Sequence, residues 1–175
     1  YHARGIAATI ELADKLNFTK NSTIIDIGCG LGGPARYFSK RFNCNVYGID
    51  ITEAFIKIGN HFNKLTEIDH QVKLLKGDGE NIPYQSEFFD GAVSQHVTMN
   101  IEDREQFFNE AFRVLKKGAI FGFSEHGLGT KGNPIFPLPW ADDENMSFLK
   151  TPEYTKSLLK KIGFKNIEII STGEK

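Results

Sequence analysis

The segment TIIDIGCGLGGP, residues 23–34, changes character halfway along. Its first half is short, apolar and β-branched, which is typical of a buried strand. Its second half holds four glycines, which allow tight turns and a close approach of the backbone to a ligand. Pro34 suits the first turn of a helix, where its missing N–H costs nothing. The segment therefore predicts a strand, a glycine turn and a helix whose N-terminal N–H groups face a ligand.

The same alternation of strand and helix continues along the chain. Further strands are predicted at residues 45–50, 71–76, 91–95, 118–125 and 166–171. Apolar residues at helical spacing predict helices near residues 6–16, 34–42, 52–65, 103–115 and 151–163. Strands separated by helices form a parallel sheet that is covered on both faces. We therefore expect one α/β domain spanning residues 1–175.

Composition excludes several classes of protein. The chain has 175 residues and a net charge of −1, so no basic excess favours nucleic acid or acidic lipid. Cys29 and Cys44 form no CxxC or Cys/His cluster, so no metal site is expected. No signal peptide or long apolar run is present, and a cytoplasmic protein is expected. Because the chain begins at Tyr1, we expect it to be truncated.

One segment departs from the alternation of strands and helices. Residues 126–150 contain three glycines and three prolines before Trp140. A loop of this length in a compact domain is usually functional or disordered. Its apolar Pro-Leu-Pro-Trp run favours a substrate lid or pocket wall over a flexible insert.

The glycine turn also satisfies the GxGxxG pattern through Gly28, Gly30 and Gly33. Asp50 lies 22 residues after Gly28, at the end of the second predicted strand, where an acid binds ribose hydroxyls. Nicotinamide enzymes and methyltransferases share both features, so these features leave the two classes open. A glycine turn without a ligand is a third reading.

Three further features favour one class. Asp26 lies inside an apolar strand, and a buried carboxylate is costly unless it is bonded, here to turn N–H groups and a ligand ammonium. Asp78, in GDGENIP after the third strand, can accept a hydrogen bond from an adenine amino group. The segment FDGAVSQH leads the fourth strand to Gln95 and His96.

Taken together, these motifs resemble those of class I S-adenosylmethionine-dependent methyltransferases. The glycine motif, Asp50, GDGENIP, FDGAVSQH and LKKGAIFGFSEH follow the family's order. HARG, GCGLGGPAR, QHVTMNI and the stretch at residues 137–152 resemble the type 11, sarcosine/dimethylglycine methyltransferase-like branch. The resemblance implies a Rossmann-like, doubly wound, mostly parallel sheet of six to seven strands, the seventh being antiparallel and absent from this chain.

The resemblance also implies a binding site for S-adenosylmethionine and for the product S-adenosylhomocysteine. Its residues are Asp26, Gly28, Gly30, Gly32, Asp50, Ile51, Asp78, Gly79 and Gln95. The first four would order and line the methionine part. Asp50 would accept the ribose hydroxyls, with Ile51 against adenine, and Asp78, beside Gly79, would accept the adenine amino group. Gln95 would lie by the sulfonium methyl. Asp50 as a helix cap and Asp78 as a turn residue are the alternatives.

On the acceptor side, His96 is the candidate catalytic residue, as a general base or a hydrogen-bond donor. His126 and Glu125, at the end of the fifth strand, are candidate substrate residues. Met99 and Trp140 are candidate pocket walls, and Trp140 could face a cationic amine. A structural or core position is the alternative for each.

The function expected from these features is methylation of a small molecule, with an amine such as a methylated glycine as acceptor. Methylation at carbon or oxygen is the alternative. An NAD-dependent oxidoreductase and a non-catalytic cofactor-binding domain are alternatives of other classes, although no Tyr-x-x-x-Lys pair is present. Tyr1, His2 and Arg4 are expected to cover the cofactor unless the terminus is disordered. We expect no nucleic-acid or membrane partner.

Overall fold

The computed structural model describes residues 4–129 and 132–172 and contains five strands. These strands are β1 (Thr23–Ile27), β2 (Asn45–Asp50), β3 (Val72–Lys76), β4 (Phe89–Gln95) and β5 (Leu115–Ser124). The helices are α1 (Ile6–Ala13), α2 (Gly33–Phe42), α3 (Glu53–Leu65), α4 (Arg104–Val114) and α5 (Pro152–Ile162). Short 3₁₀ helices cover Thr98–Asn100 and Glu144–Met146. The expected alternation is confirmed over these elements. Tyr1 and His2 lie outside the described residues.

The five strands form one parallel sheet in the order β3-β2-β1-β4-β5. The chain leaves β3 at one edge and returns on the other side of β1, so the strand order reverses between β1 and β4. Ligands of open α/β sheets bind at this switch point, beyond the carboxyl ends of the strands.

Each face of the sheet is covered by its own set of helices. Ile24 packs in the core beneath α1, α2 and α3, whereas Ile25 packs in the core beneath α4 and α5. Successive residues of a strand point to opposite faces, so a strand buried on both faces is apolar throughout. This burial explains the continuous apolar run in β1 and confirms the α/β, Rossmann-like class.

The prediction of a sixth strand at residues 166–171 is wrong for the described chain, and with it the count of six to seven strands. This segment follows α5 and pairs with no strand among the residues described. Ile169 and Ile170 are about half exposed, outside both cores. A strand requires a neighbour to bond its backbone. The β-branched composition therefore indicated a strand, but the fold supplies no pairing partner for it here.

In the part that the structure describes, the loop at residues 126–150 is closed at its base and is bonded to the short helix after β4. Leu128 N donates to Lys150 O over 2.9 Å, and Phe148 N donates to Met99 O over 2.8 Å.

Within the described residues, every helix is too short or too polar to cross a bilayer.

Candidate functional site

The predicted site residues meet along one edge of the sheet. Asp78 follows β3, Asp50 ends β2, the glycine turn follows β1, Gln95 ends β4 and His126 follows β5. Neighbouring strands lie about 4.8 Å apart, so this row spans about 19 Å. An elongated ligand can therefore contact several strand ends at once.

The glycine turn is held by backbone hydrogen bonds to β2. Gly28 N and Cys29 N both donate to Ile49 O, over 2.8 and 2.9 Å. Gly28, Gly30 and Gly32 have φ values of 78°, 53° and 75°, in the left-handed region that favours glycine. A Cβ at Gly28 would collide with Val97, whereas a Cβ at Gly30 would face open space. Gly28 is therefore required for packing, and Gly30 leaves room for a ligand.

Asp50 connects β2 to the glycine turn. Its Oδ2 accepts from Gly30 N over 2.8 Å, and its Oδ1 accepts from Thr52 N over 2.9 Å. Each carboxylate oxygen can accept a second hydrogen bond, so the side chain keeps capacity for ligand hydroxyls. The Thr52 contact, just before α3, agrees with the helix-cap role considered as the alternative for Asp50, whereas the contact with Gly30 was not predicted.

Asp26 is a buried carboxylate with unused hydrogen-bonding capacity. It is 1% exposed, and its Oδ2 has no hydrogen-bond partner in the described part of the chain. Burial, together with repulsion from Asp50, raises the pKa of Asp26 to about 7. We expected the turn N–H groups to bond to Asp26, but they bond to Ile49 and Asp50 instead. The orphaned oxygen fits a cationic ligand group.

The three residues predicted to lie near adenine differ in burial. Asp78 and Gly79 follow β3, whereas Ile51 follows β2. Asp78 is exposed, and its Oδ1 accepts from Glu80 N over 2.9 Å, which is the turn geometry weighed as its alternative role. Gly79 is tightly packed, because a Cβ there would lie 2.7 Å from Phe107 Cε2. Ile51 is 68% exposed and offers an apolar surface at the site edge. The adenine contacts of all three stay predictions.

Gln95 lies beneath α1 at the end of β4. It is 7% exposed, and its Oε1 accepts from Thr9 Oγ1 over 3.1 Å. A cavity of about 240 Å³ lies beside Thr9, between the N-terminal ends of α1 and α2. Its lining residues are Gly5, Ile6, Thr9, Gly33 and Pro34.

Three aromatic rings stack at the ends of β4 and β5. The His96 and His126 ring centroids are 5.1 Å apart, and those of His126 and Trp140 are 4.7 Å apart and nearly parallel. His96 has a φ of 57°, and its N donates to Ser124 O over 2.8 Å. Burial lowers the pKa of His126, which favours its neutral form. The structure thus brings together three predicted residues that are far apart in sequence.

Met99 lies outside this stack. Its side chain is fully buried. Of the two roles considered for it, this position favours core packing over a pocket wall.

A buried ion pair beneath the stack was missed by the sequence reasoning. Arg104 is 2% exposed, and its Nη1 lies 2.7 Å from Glu125 Oε2. Glu125 also accepts from the Thr98 and Thr155 hydroxyls, and Arg104 donates to the carbonyls of Thr98 and Phe148. Glu125 is therefore engaged in structure, beside its candidate substrate role. Helical spacing could have identified Arg104 as buried, because it precedes Phe107 and Phe108 by three and four residues and so lies on the same face of α4.

The two thiols are buried, and their environment favours the protonated form. Cys29 and Cys44 are buried, and burial raises the pKa of each thiol, that of Cys44 to about 11. Over residues 4–129 and 132–172, no group of three His, Cys, Asp or Glu side chains could hold a metal ion.

Comparisons with known proteins identify a family. A family model described as a methyltransferase domain matches residues 25–123. Sterol 24-C-methyltransferase from Candida albicans is 32% identical over 114 residues, which are 65% of this chain and 30% of that protein. Sarcosine/dimethylglycine N-methyltransferase from Halorhodospira halochloris is 29% identical over 84% of this chain and 53% of that protein. The chain thus spans between 30% and 53% of the length of these curated relatives.

A solved structure shares the fold. Phosphoethanolamine N-methyltransferase 2 from Haemonchus contortus, in complex with S-adenosyl-L-methionine, superposes with a TM-score of 0.81. The two chains are 23% identical, over 94% of this chain and 38% of that one.

Proposed function

The chain belongs to the class I S-adenosylmethionine-dependent methyltransferase family, and we propose that it transfers the methyl group of S-adenosylmethionine to a small-molecule acceptor. The observation that carries this proposal is the orphaned oxygen of Asp26, in the strand that leads into the glycine turn, where Gly30 faces open space. A carboxylate in this position fits the ammonium group of the methionine part, since a buried carboxylate needs a cationic or hydrogen-bonding partner.

The remaining strand ends fit the adenosine part. Asp50 retains acceptor capacity for two ribose hydroxyls, and Ile51 offers an apolar surface for adenine. Asp78, one strand further along the sheet, can accept from the adenine amino group. The row of strand ends thus matches the cofactor from adenine at β3 to methionine at β1.

The chain's own residues have two tasks in methyl transfer. The bound cofactor supplies an electrophilic methyl group, so the protein has to orient the acceptor and manage its proton. We place the acceptor against His96, His126 and Trp140, whose stack follows the ends of β4 and β5. For an amine acceptor, His96 would remove the proton, because imidazole is a general base near neutral pH. The indole face of Trp140 would attract the ammonium form on entry.

Methylation of an amine is the first candidate, because a sarcosine enzyme aligns over 84% of this chain and Trp140 offers a cation-binding face. Methylation at carbon is the second candidate, because a sterol C-methyltransferase aligns at 32% identity. Radiolabelled methyl transfer by the full-length protein to sarcosine, dimethylglycine and a sterol distinguishes them. Transfer to the sterol alone would refute the amine proposal.

The cofactor proposal is tested by calorimetric titration of the full-length protein with S-adenosylhomocysteine and with NAD. We expect binding of the first and none of the second; the reverse would refute the proposal. Asp50→Ala removes charged hydrogen bonds worth about 1.5–3 kcal/mol and should weaken S-adenosylhomocysteine binding by about 10- to 100-fold. Asp90→Ala is the matched control, because Asp90 accepts from Thr23 N at the opposite edge of the sheet. An equal loss in both variants would assign the effect to folding.

A further inference from the structure

Two buried polar groups at the ends of β4 and β5 have no function in the mechanism above. Gln95 and Ser124 are register partners in the β4–β5 ladder, so their side chains lie on the same face of the sheet. Gln95 Nε2 and Ser124 Oγ are both buried, and neither has a hydrogen-bond partner in the part of the chain that the structure describes. Orphaned buried groups are costly, and a ligand that forms hydrogen bonds to both groups would remove this cost.

Thr9 determines which end of the Gln95 amide remains available. The Thr9 hydroxyl donates to Gln95 Oε1 over 3.1 Å, and Thr9 itself is 1% exposed. The amide oxygen thereby faces Thr9, and the two N–H donors of Nε2 are unused in the part of the chain that the structure describes. Ser124 adds a hydroxyl that can also donate. The pair therefore suits a ligand oxygen that accepts hydrogen bonds.

The strand order indicates which ligand carries that oxygen. Asp50 ends β2 and the glycine turn follows β1, whereas β4 and β5 lie on the other side of β1. The proposed cofactor occupies the β3-to-β1 part of the row. The next residue after Gln95 is His96, and His126 lies two residues after Ser124, so the orphaned pair adjoins the proposed acceptor pocket.

We infer that Gln95 and Ser124 bind an oxygen of the methyl acceptor, and that Thr9 is a positioning residue that orients the Gln95 amide for this contact. The acceptor is then a polar small molecule with a carboxylate, carbonyl or hydroxyl oxygen near the methylated atom. This inference rests on the proposed function, because it needs the cofactor on the β1 side.

The test uses the full-length protein labelled with ¹⁵N-glutamine and saturated with S-adenosylhomocysteine. The side-chain amide signals of Gln95 are assigned by their loss in Gln95→Leu. Sarcosine and N-methylethanolamine are then added as probes that contain an oxygen, and N-methylethylamine as the matched probe without one. We expect the Gln95 signals to shift with at least one oxygen-containing probe and not with N-methylethylamine. Gln95→Leu should weaken binding of that probe about tenfold, the loss of about one hydrogen bond.

The positioning role of Thr9 is tested by substitutions at Thr9, with probe binding and the Gln95 amide signals as the two measurements. Thr9→Val should weaken binding of the oxygen-containing probe by a similar factor and alter the Gln95 amide signals before any probe is added. Thr9→Ser, which keeps the hydroxyl, should restore both. Thr66→Val is the matched control, because Thr66 is exposed and its hydroxyl donates to Phe62 O and Asn63 O at the end of its own helix.

Two outcomes would overturn the inference. If the Gln95 signals respond to S-adenosylhomocysteine and to no added probe, the pair belongs to the cofactor site. If the signals respond neither to S-adenosylhomocysteine nor to any probe, the inference is refuted. Failure of the wild-type protein to bind S-adenosylhomocysteine would instead refute the proposed function, so the two failures are distinguishable.

Discussion

Replacing Arg104 with methionine should destabilise the protein far more than the loss of an ordinary ion pair. Arg104 is 2% exposed and Glu125 only 13%, so the pair is shielded from water. Arg104→Met would leave the Glu125 carboxylate buried without its cation. Breaking a buried pair from one side costs about 3–5 kcal/mol, because the remaining charge is uncompensated.

The chain contains a matched control for this experiment. Lys161 of α5 and Glu105 of α4 form a second ion pair, over 2.7 Å, but their side chains are 67% and 46% exposed. Exposed pairs contribute about 0–1 kcal/mol, so Lys161→Met should have little effect. The free energy of unfolding of both variants is measured by urea denaturation, monitored by circular dichroism.

A double variant separates the orphaned charge from lost packing. Arg104→Met combined with Glu125→Gln leaves no buried charge, so it should be more stable than Arg104→Met alone. If Arg104→Met costs less than about 1 kcal/mol, the Arg104–Glu125 pair contributes no more than an exposed pair. Arg104 would then not hold α5 at Thr155 or the loop at Phe148 in place.

Two further predictions concern pH. Burial raises the pKa of Asp26 to about 7 in the folded protein, above its ordinary value of 3.8, so protonation of Asp26 stabilises the fold. This stabilising contribution is complete below about pH 4 and is lost as pH rises to about 7. The free energy of unfolding relative to Asp26→Asn, measured by urea denaturation, should therefore fall between pH 4 and 8. A free-energy difference between the two proteins that stays constant with pH would refute the raised pKa. Trp140 is the single tryptophan of this chain and stacks on His126, so protonation of that imidazole should quench its fluorescence. Because burial lowers the pKa of His126, the midpoint of the fluorescence change should lie below pH 6.5. His126→Gln should remove the fluorescence change. A midpoint above pH 6.5 would contradict the burial of His126.

Local sequence patterns sufficed for the parts of the fold that depend on neighbouring residues. The β-branched run at residues 23–27 and the glycines after it determine a strand and a turn through their own conformational preferences. The segment at residues 166–171 has similar composition and forms no strand, because pairing depends on a distant partner that composition does not reveal.

The same distinction separates the predicted from the missed site residues. Asp26, Asp50 and Gln95 could be predicted because parallel strands bring their carboxyl ends to one edge. The contact of Thr9 with Gln95 joins residues 86 positions apart, and that of Arg104 with Thr155 joins residues 51 apart. Such pairs form only when helices dock on the completed sheet, so no local pattern identifies them.

The proposed cofactor and acceptor halves of the site therefore depend on different parts of the sequence. This difference is relevant to the different substrates for which the relatives are named. The family model covers residues 25–123, which include the glycine turn, Asp50 and Asp78 but end before Glu125 and the loop at 126–150. The proposed cofactor half is built from strand ends inside that region. The proposed acceptor half depends on α1, on the Arg104–Glu125 pair and on a loop to which Arg104 donates a hydrogen bond at Phe148 O. A change in the loop can therefore alter the acceptor pocket without disturbing the glycine turn, which is consistent with relatives named for a sterol and for sarcosine.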